Sequence, residues 1–188
     1  MEKYLQQQKT DCIKIVLFGP ESTGKTSLAV ELAKHYKTLF VKEFAREFLQ
    51  KKMDEENKVC EIDDLIPIAI GQMNSENILS KKANRILFCD TDLLTTATYS
   101  RLYFNNFCDP VIDKYSKENK YDLYLLLDID IPWVKDDLRD RPNERDIFFN
   151  SFKMALEMNN KNYFTVSGSF QKRKQKAIEL VNNLLNLQ

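Results

Sequence analysis

Five short apolar runs recur along the chain, and longer stretches with apolar residues at helical spacing fill the gaps between them. The first run, Ile13-Lys14-Ile15-Val16-Leu17-Phe18, is rich in β-branched residues and apolar almost throughout. Such a run suits a parallel strand covered on both faces. Thr38 to Val41, Arg85 to Cys89, Tyr121 to Leu127 and Tyr163 to Val166 read as four more strands. Lys25 to Tyr36 places Leu28, Leu32 and Tyr36 on one helical face, with Ala29 and Ala33 beside them. Lys42 to Lys52 brings Phe44 and Phe48 together on a second helix, and Asp54 to Lys58 is a charged loop. Glu61 to Lys82 predicts a longer helix, interrupted at Pro67 and Gly71. Further helices are predicted over Thr95 to Phe104, Asp109 to Lys117, Glu144 to Met158 and Ser169 to Leu187. Strands alternating with helices predict an α/β fold, a doubly wound five-stranded parallel sheet with helices on both faces. Residues 13–188 form one domain and residues 1–12 an N-terminal extension.

Composition narrows the field. The 188 residues carry 28 Lys+Arg and 28 Asp+Glu, so no net charge argues for a nucleic-acid or membrane surface. No apolar run approaches the length needed to cross a bilayer, and Met1 to Asp11 lacks a signal-like apolar core. Cys12, Cys60, Cys89 and Cys108 show no C-x-x-C spacing and read as reduced, mostly buried thiols of a cytoplasmic protein. The single histidine, His35, falls at a helix end and reads as a last-turn residue, not a metal ligand. The basic run Lys172-Arg173-Lys174-Gln175-Lys176 reads as a solvated helix face. Self-association is left open.

Ligands of doubly wound sheets lie beyond the carboxyl ends of the strands. The distinctive polar residues gather there: Glu43, Asp90-Thr91-Asp92, Asp128-Ile129-Asp130, Ser167-Gly168-Ser169 and, above all, Gly19-Pro20-Glu21-Ser22-Thr23-Gly24-Lys25-Thr26. This last stretch matches the phosphate loop G-x-x-x-x-G-K-[ST], between a strand and a helix as the mechanism requires. Loop N–H groups and the helix N-terminus make a seat for phosphate. Lys25 then reaches the β/γ-phosphates of ATP or GTP, and the Thr26 hydroxyl ligates Mg²⁺. Gly19, Glu21, Ser22, Thr23, Gly24, Ser27 and the later Gly168 complete the expected nucleotide-binding set. Asp90, ending an apolar strand, is placed to hold Mg²⁺. Asp92 is either a helix cap or a catalytic and substrate contact. Glu43 is expected to position or deprotonate an acceptor hydroxyl, with Arg46 holding it in place; the bland reading of Glu43, Arg46 and Glu47 is an exposed ion-paired turn. Arg139, Arg141 and Arg145 form either a lid closing over the phosphates, with Arg139 and Arg145 catalytic, or a solvated loop. Trp133, in the polar segment just past the fourth strand, reads from its surroundings as a hydrophobic plug beneath that lid.

Several of these motifs together resemble the ribosylnicotinamide kinase domain of the NadR-type proteins. The phosphate loop shares that family's Glu21-Ser22, and Glu43-Phe44-Ala45-Arg46-Glu47-Phe48 resembles its E-Y/F-A/G-R-E-Y/F motif. Gly71-Gln72, Asp90-Thr91-Asp92 with Thr95-Thr96, and Trp133, Asp136, Leu138 and Arg139 resemble its remaining motifs. Asp137 departs from the family's usual Gly, a position where positive φ would favour glycine. The resemblance implies ATP- and Mg²⁺-dependent phosphorylation of the 5′-hydroxyl of nicotinamide riboside, with Gln72, Trp133 and Asp136 joining Glu43, Arg46 and Asp92 around the acceptor, and Trp133 offering an aromatic face to the cationic pyridinium ring as the alternative to a plug. The residues before Ile13 leave no room for the family's fused adenylyltransferase and DNA-binding domains, so the expectation is the kinase alone. Another nucleoside or nucleotide as acceptor, or a nucleotide-binding regulatory role, are the alternatives.

Overall fold

The computed structural model describes residues 2–186. Five parallel strands form one sheet in the order β2-β3-β1-β4-β5, with β1 at Ile13–Phe18, β2 at Leu39–Val41, β3 at Ile86–Asp90, β4 at Leu123–Leu127 and β5 at Tyr163–Val166. The central strands β1, β3 and β4 are buried along their whole length, which is why their sequences are apolar runs and not alternating ones.

Among the described residues, seven α-helices occur in chain order: α1 Lys25–His35, α2 Phe44–Glu56, α3 Leu65–Ser80, α4 Leu93–Tyr103, α5 Pro110–Glu118, α6 Arg145–Met158 and α7 Phe170–Asn186. α1 and α7 cover the sheet face bearing Ile13, Ile15 and Leu17. α4 and α6 cover the face bearing Val16 and Phe18, through Leu94, Phe152 and Leu156. Because α1 leaves β1 toward one face and α4 and α6 follow β3 and β4 on the other, a crevice opens at the carboxyl end of β1.

The element boundaries differ from the sequence reading in instructive places. α2 runs on to Glu56 through the stretch read as a charged loop, and Asn57 ends it in the left-handed conformation. α3 starts only at Leu65, after a 3₁₀ turn over Ile62–Asp64; Pro67 then falls in the first turn, where its missing N–H is harmless. α4 begins at Leu93, two residues ahead of the predicted start, with Asp92 as its cap. Leu187, included in the last predicted helix, lies outside the described residues.

The N-terminal segment packs against the domain. Leu5 is fully buried with Leu65, Met73, Ile112 and Tyr115. Gln7 Nε2 donates to Glu76 Oε1 (2.9 Å), which also accepts from buried Lys14 (2.9 Å), while Tyr121 donates to Glu76 Oε2 (2.7 Å). A buried carboxylate so furnished with donors is the arrangement in which an enclosed ion pair is tolerated. Among the described residues all four cysteines are free; Cys89 is buried, but Cys12, Cys60 and Cys108 are only half-buried, correcting the expectation of mostly buried thiols. Among the same residues, no helix is long and apolar enough to cross a membrane.

Candidate active site

The phosphate loop joins β1 to α1 at the crevice. At Gly19 (φ +131°) a Cβ would stand 2.9 Å from the Leu127 carbonyl oxygen, so the chain's exit from β1 requires glycine. Ser22 (φ +57°) and Gly24 (φ +84°) then bend the loop back toward the helix, whose first bond runs from the Leu28 N–H to the Gly24 carbonyl. Buried Thr23 and Lys25 both donate to the Pro20 carbonyl, each at 2.8 Å. Lys25 is thus stored beside the loop on one neutral acceptor, a bond that phosphate oxygens would readily replace.

The register Leu17↔Asp90 sets the end of β3 directly beside the start of the loop. The Thr26 hydroxyl donates to Asp90 Oδ2 at 2.5 Å, while Asp90 Oδ1 is buried with no hydrogen-bond partner. Burial, followed by the charge of Glu43, pushes the Asp90 carboxyl up to about 6. An enclosed carboxylate with an orphaned oxygen, next to a hydroxyl, fits a hard divalent cation.

Across the crevice, β2 delivers Glu43 to the N-terminus of α2. The cavity between them measures about 520 Å³ and is bounded by residues 21–27, Glu43, Arg46, Gln72, Tyr99 and Tyr103, and Asp137 to Arg141. Its inner wall is apolar, formed by Leu49, Met53, Leu65 and Ile68. Glu43 faces this space without any side-chain bond to its own helix. Its position is fixed by neighbours: Gln72 Oε1 accepts from the Phe44 N–H at 2.8 Å, and the Phe44 ring lies over Gly71, where a Cβ would come within 2.2 Å of it. The Gly71-Gln72 pair is therefore a seat for the start of α2, besides lining the cavity at Gln72.

Residues 131–145 form a strap lying against the loop. Trp133 Nε1 donates to Glu21 Oε1 (3.3 Å), and the Val134 N–H donates to Ser22 Oγ (2.8 Å). Burial raises the pKa of Glu21, and the Trp133 bond opposes that rise. Arg46 Nη2 pairs with Asp136 Oδ2 (2.5 Å), Tyr103 donates to Asp140 (2.6 Å), and the Arg141 guanidinium lies 5.2 Å from the Tyr103 ring centre. Arg139 lines the cavity, with Nη1 on the Val134 carbonyl (2.7 Å) and Nε 3.1 Å from Asp136 Oδ2. Asp137 does not adopt positive φ, so aspartate sits without backbone strain where glycine is usual.

Not every expected residue reaches the cavity. Asp92 is fully buried: Oδ1 accepts from the Thr95 N–H and hydroxyl, and Oδ2 from the Tyr124 hydroxyl, so it caps α4 and does not line the cavity. Arg46 bonds Asp136, not Glu43, and Asp136 is thereby spent on the strap. Trp133 is half-buried and is not among the residues that bound the cavity, but its indole N–H is tied to Glu21, which is. Arg145 and Gly168 also lie outside the cavity wall. Arg145 Nη1 donates to the Ile131 carbonyl at 2.8 Å, leaving Nε and Nη2 buried without partners. The basic run is not uniformly solvated either, because Arg173 within it is 2% exposed. Sequence reading missed Tyr99 and Tyr103, whose signal was present: aromatics one helical turn apart on the helix opened by Asp92.

Fold and site together define a P-loop nucleotide-binding protein of the nucleoside- and nucleotide-kinase architecture. Residues 14–173 match the model of an AAA domain family, and the chain belongs to that family. Among curated proteins, it is 28% identical over 180 residues to the trifunctional NAD biosynthesis/regulator protein NadR of Salmonella typhimurium. That alignment covers 93% of this chain but 43% of the relative, so the chain spans less than half the length of the curated protein it matches. Two solved NadR structures, one in complex with NR and one with NAD and AMP-PNP, superpose with TM-scores of 0.78 and 0.77, each at 24% identity. They are matched over 92% and 94% of this chain and over 51% and 50% of their own. A deoxyadenosine kinase from M. mycoides shares the fold along its whole length (TM-score 0.67, 14% identity, 91% of this chain). The likeness to NadR bears out the resemblance carried by the motifs.

Proposed function

We propose that this chain transfers the γ-phosphoryl group of ATP to the 5′-hydroxyl of nicotinamide riboside, giving nicotinamide mononucleotide. The observation that carries this reading is one cavity lined both by Lys25 and Thr26 and by the unpaired Glu43. Triphosphate chemistry needs the first two, and an acceptor hydroxyl needs the third. The likeness to NadR, including a relative solved in complex with NR, supports nicotinamide riboside as that acceptor.

Lys25 leaves the Pro20 carbonyl to bind the β- and γ-phosphates, and loop N–H groups hold the chain of oxygens. Thr26 and Asp90 are the residues that would hold Mg²⁺, which when bound neutralises phosphate charge and orients the γ-phosphoryl group. Glu43 accepts a hydrogen bond from the acceptor hydroxyl and takes its proton as the new bond forms. Arg139 lies on the same cavity wall and offsets charge growing on the transferred group. Closure of the strap excludes water, so that the acceptor competes successfully with hydrolysis.

The test is ADP release by purified protein with ATP and Mg²⁺, across a panel of nucleosides that includes nicotinamide riboside. Release dependent on nicotinamide riboside, abolished in Lys25→Ala, is the expected result. Release dependent on another nucleoside would reassign the acceptor, and release independent of any acceptor would remove the kinase reading.

A further inference from the structure

Arg173 belongs to the basic run of α7, yet its guanidinium is enclosed and holds three separate segments together. Nη1 donates to the Thr23 carbonyl of the phosphate loop at 2.8 Å. Nε donates to the Gly168 carbonyl in the β5–α7 turn at 2.8 Å. Nη2 donates to the Asp128 carbonyl just past β4 at 3.0 Å, and pairs with the Asp130 carboxylate. Asp130 also accepts from the Gly168 N–H at 2.5 Å. Its neighbours in the run differ: Lys172, Gln175 and Lys176 are exposed, and Lys174 is half-buried on Glu31. Only a planar fork of donors can satisfy this many acceptors at once.

The Thr23 bond matters because of peptide geometry. The Thr23 carbonyl and the Gly24 N–H belong to one planar unit, and in a trans peptide they point in opposite directions. No peptide bond among the described residues is cis. Arg173 holds the carbonyl toward α7, so the Gly24 N–H is directed the other way, and Thr23 and Gly24 both line the cavity. Gly24 has φ +84°, and a glycine can turn this peptide over with little steric resistance. A turned peptide would present a carbonyl oxygen to phosphate where a donor belongs. We propose that Arg173 is a positioning residue for the triphosphate: it locks the Thr23–Gly24 peptide with its N–H facing the phosphate seat. The inference rests on the triphosphate half of the proposed reaction and is independent of the acceptor.

The test compares ATP with adenosine, the same base and sugar without phosphates, by calorimetric titration of Arg173→Lys and Arg173→Ala. Arg173→Lys is expected to weaken ATP by about tenfold or more while adenosine shifts by less than about twofold, because only the phosphates lose a charge-assisted bond. Guanidinium, added far below concentrations that unfold proteins, should restore ATP affinity to Arg173→Ala. If the alanine variant fails to fold, the lysine variant decides alone. Parallel weakening of both ligands, or a lowered melting temperature with ATP affinity intact, overturns the proposal and leaves Arg173 a fold anchor. Wild-type protein that fails to bind ATP would instead remove the triphosphate reading itself.

Discussion

In metal-free protein, Asp90→Asn is expected to stabilise the fold at neutral pH and, in the same stroke, to abolish its response to Mg²⁺. Asp90 is wholly enclosed, and its carboxyl is pushed from 3.8 up to about 6, first by burial and then by the charge of Glu43. A shift of about two units separates the protonation states by about 3 kcal/mol. Between the two values the folded protein holds a proton that the unfolded chain has released, so stability falls as pH rises through this window. The contribution of the neutral carboxyl is complete below pH 3.8 and gone above about 6, which leaves ionised Asp90 a cost of about 3 kcal/mol at neutral pH. Asparagine keeps the shape and an acceptor for the Thr26 hydroxyl, without the charge. The mutant-minus-wild-type stability should therefore be near zero in acid and grow to about 3 kcal/mol by neutral pH. Urea denaturation in EDTA across a pH series measures this difference. Repeating it in excess Mg²⁺ should raise the stability of the wild type and leave the mutant unmoved. A mutant less stable than wild type at neutral pH, or a difference flat with pH, would refute the idea that Asp90 is a carboxylate kept charged for a cation.

Three further outcomes are expected. Glu43→Gln should lower kcat by about 10²–10⁴ with nucleotide affinity unchanged if Glu43 acts on the acceptor as proposed; equal loss of ATP binding would undo that division of labour. Gly71→Ala places a Cβ within 2.2 Å of the Phe44 ring and should cost about 1–3 kcal/mol while lowering kcat through displaced Glu43. Phe44→Leu in the same chain should recover part of both losses, and a fully stable, fully active Gly71→Ala protein would show that the seat is not needed. For the Arg46–Asp136 pair, a double-mutant cycle of Arg46→Met and Asp136→Asn on kcat/KM should give a measurable coupling, above zero but below about 1 kcal/mol, because Arg46 is 42% exposed and screened by water. Strict additivity would mean that the pair does not hold the strap.

The sheet and its order of elements were legible because burial on both faces forces continuous apolar runs, and β1, β3 and β4 are those runs. The phosphate loop was legible because its chemistry is local: eight consecutive residues supply the glycines, the lysine and the hydroxyl. Asp90 was legible for a related reason, since a polar residue that ends an apolar strand must lie at the carboxyl edge of the sheet. Asp92 showed where this logic stops. It shares that edge, but the helix beginning at Leu93 takes its carboxylate as a cap, a competition that both residue type and position allow.

What sequence periodicity could not supply was the pairing of segments far apart in the chain. Arg46 was matched with Glu43 because three residues on a helix make neighbours. Its actual partner, Asp136, is 90 residues away and on the strap. Arg173 was assigned to solvent by its lysine-rich surroundings, yet it reaches Thr23 across 150 residues. Both errors have one cause: the charge pattern of a helix says which side chains share a face, not which loops the sheet has folded against it. The two corrections also share a consequence. Each arginine ties a segment around the cavity to another that reaches it from a different part of the chain: Arg46 joins α2 to the strap, and Arg173 joins the phosphate loop to the ends of β4 and β5. Phosphoryl transfer rewards such ties because its catalysis is mainly positioning and electrostatics, so distant residues that fix loop geometry bear on the rate without touching the reacting atoms.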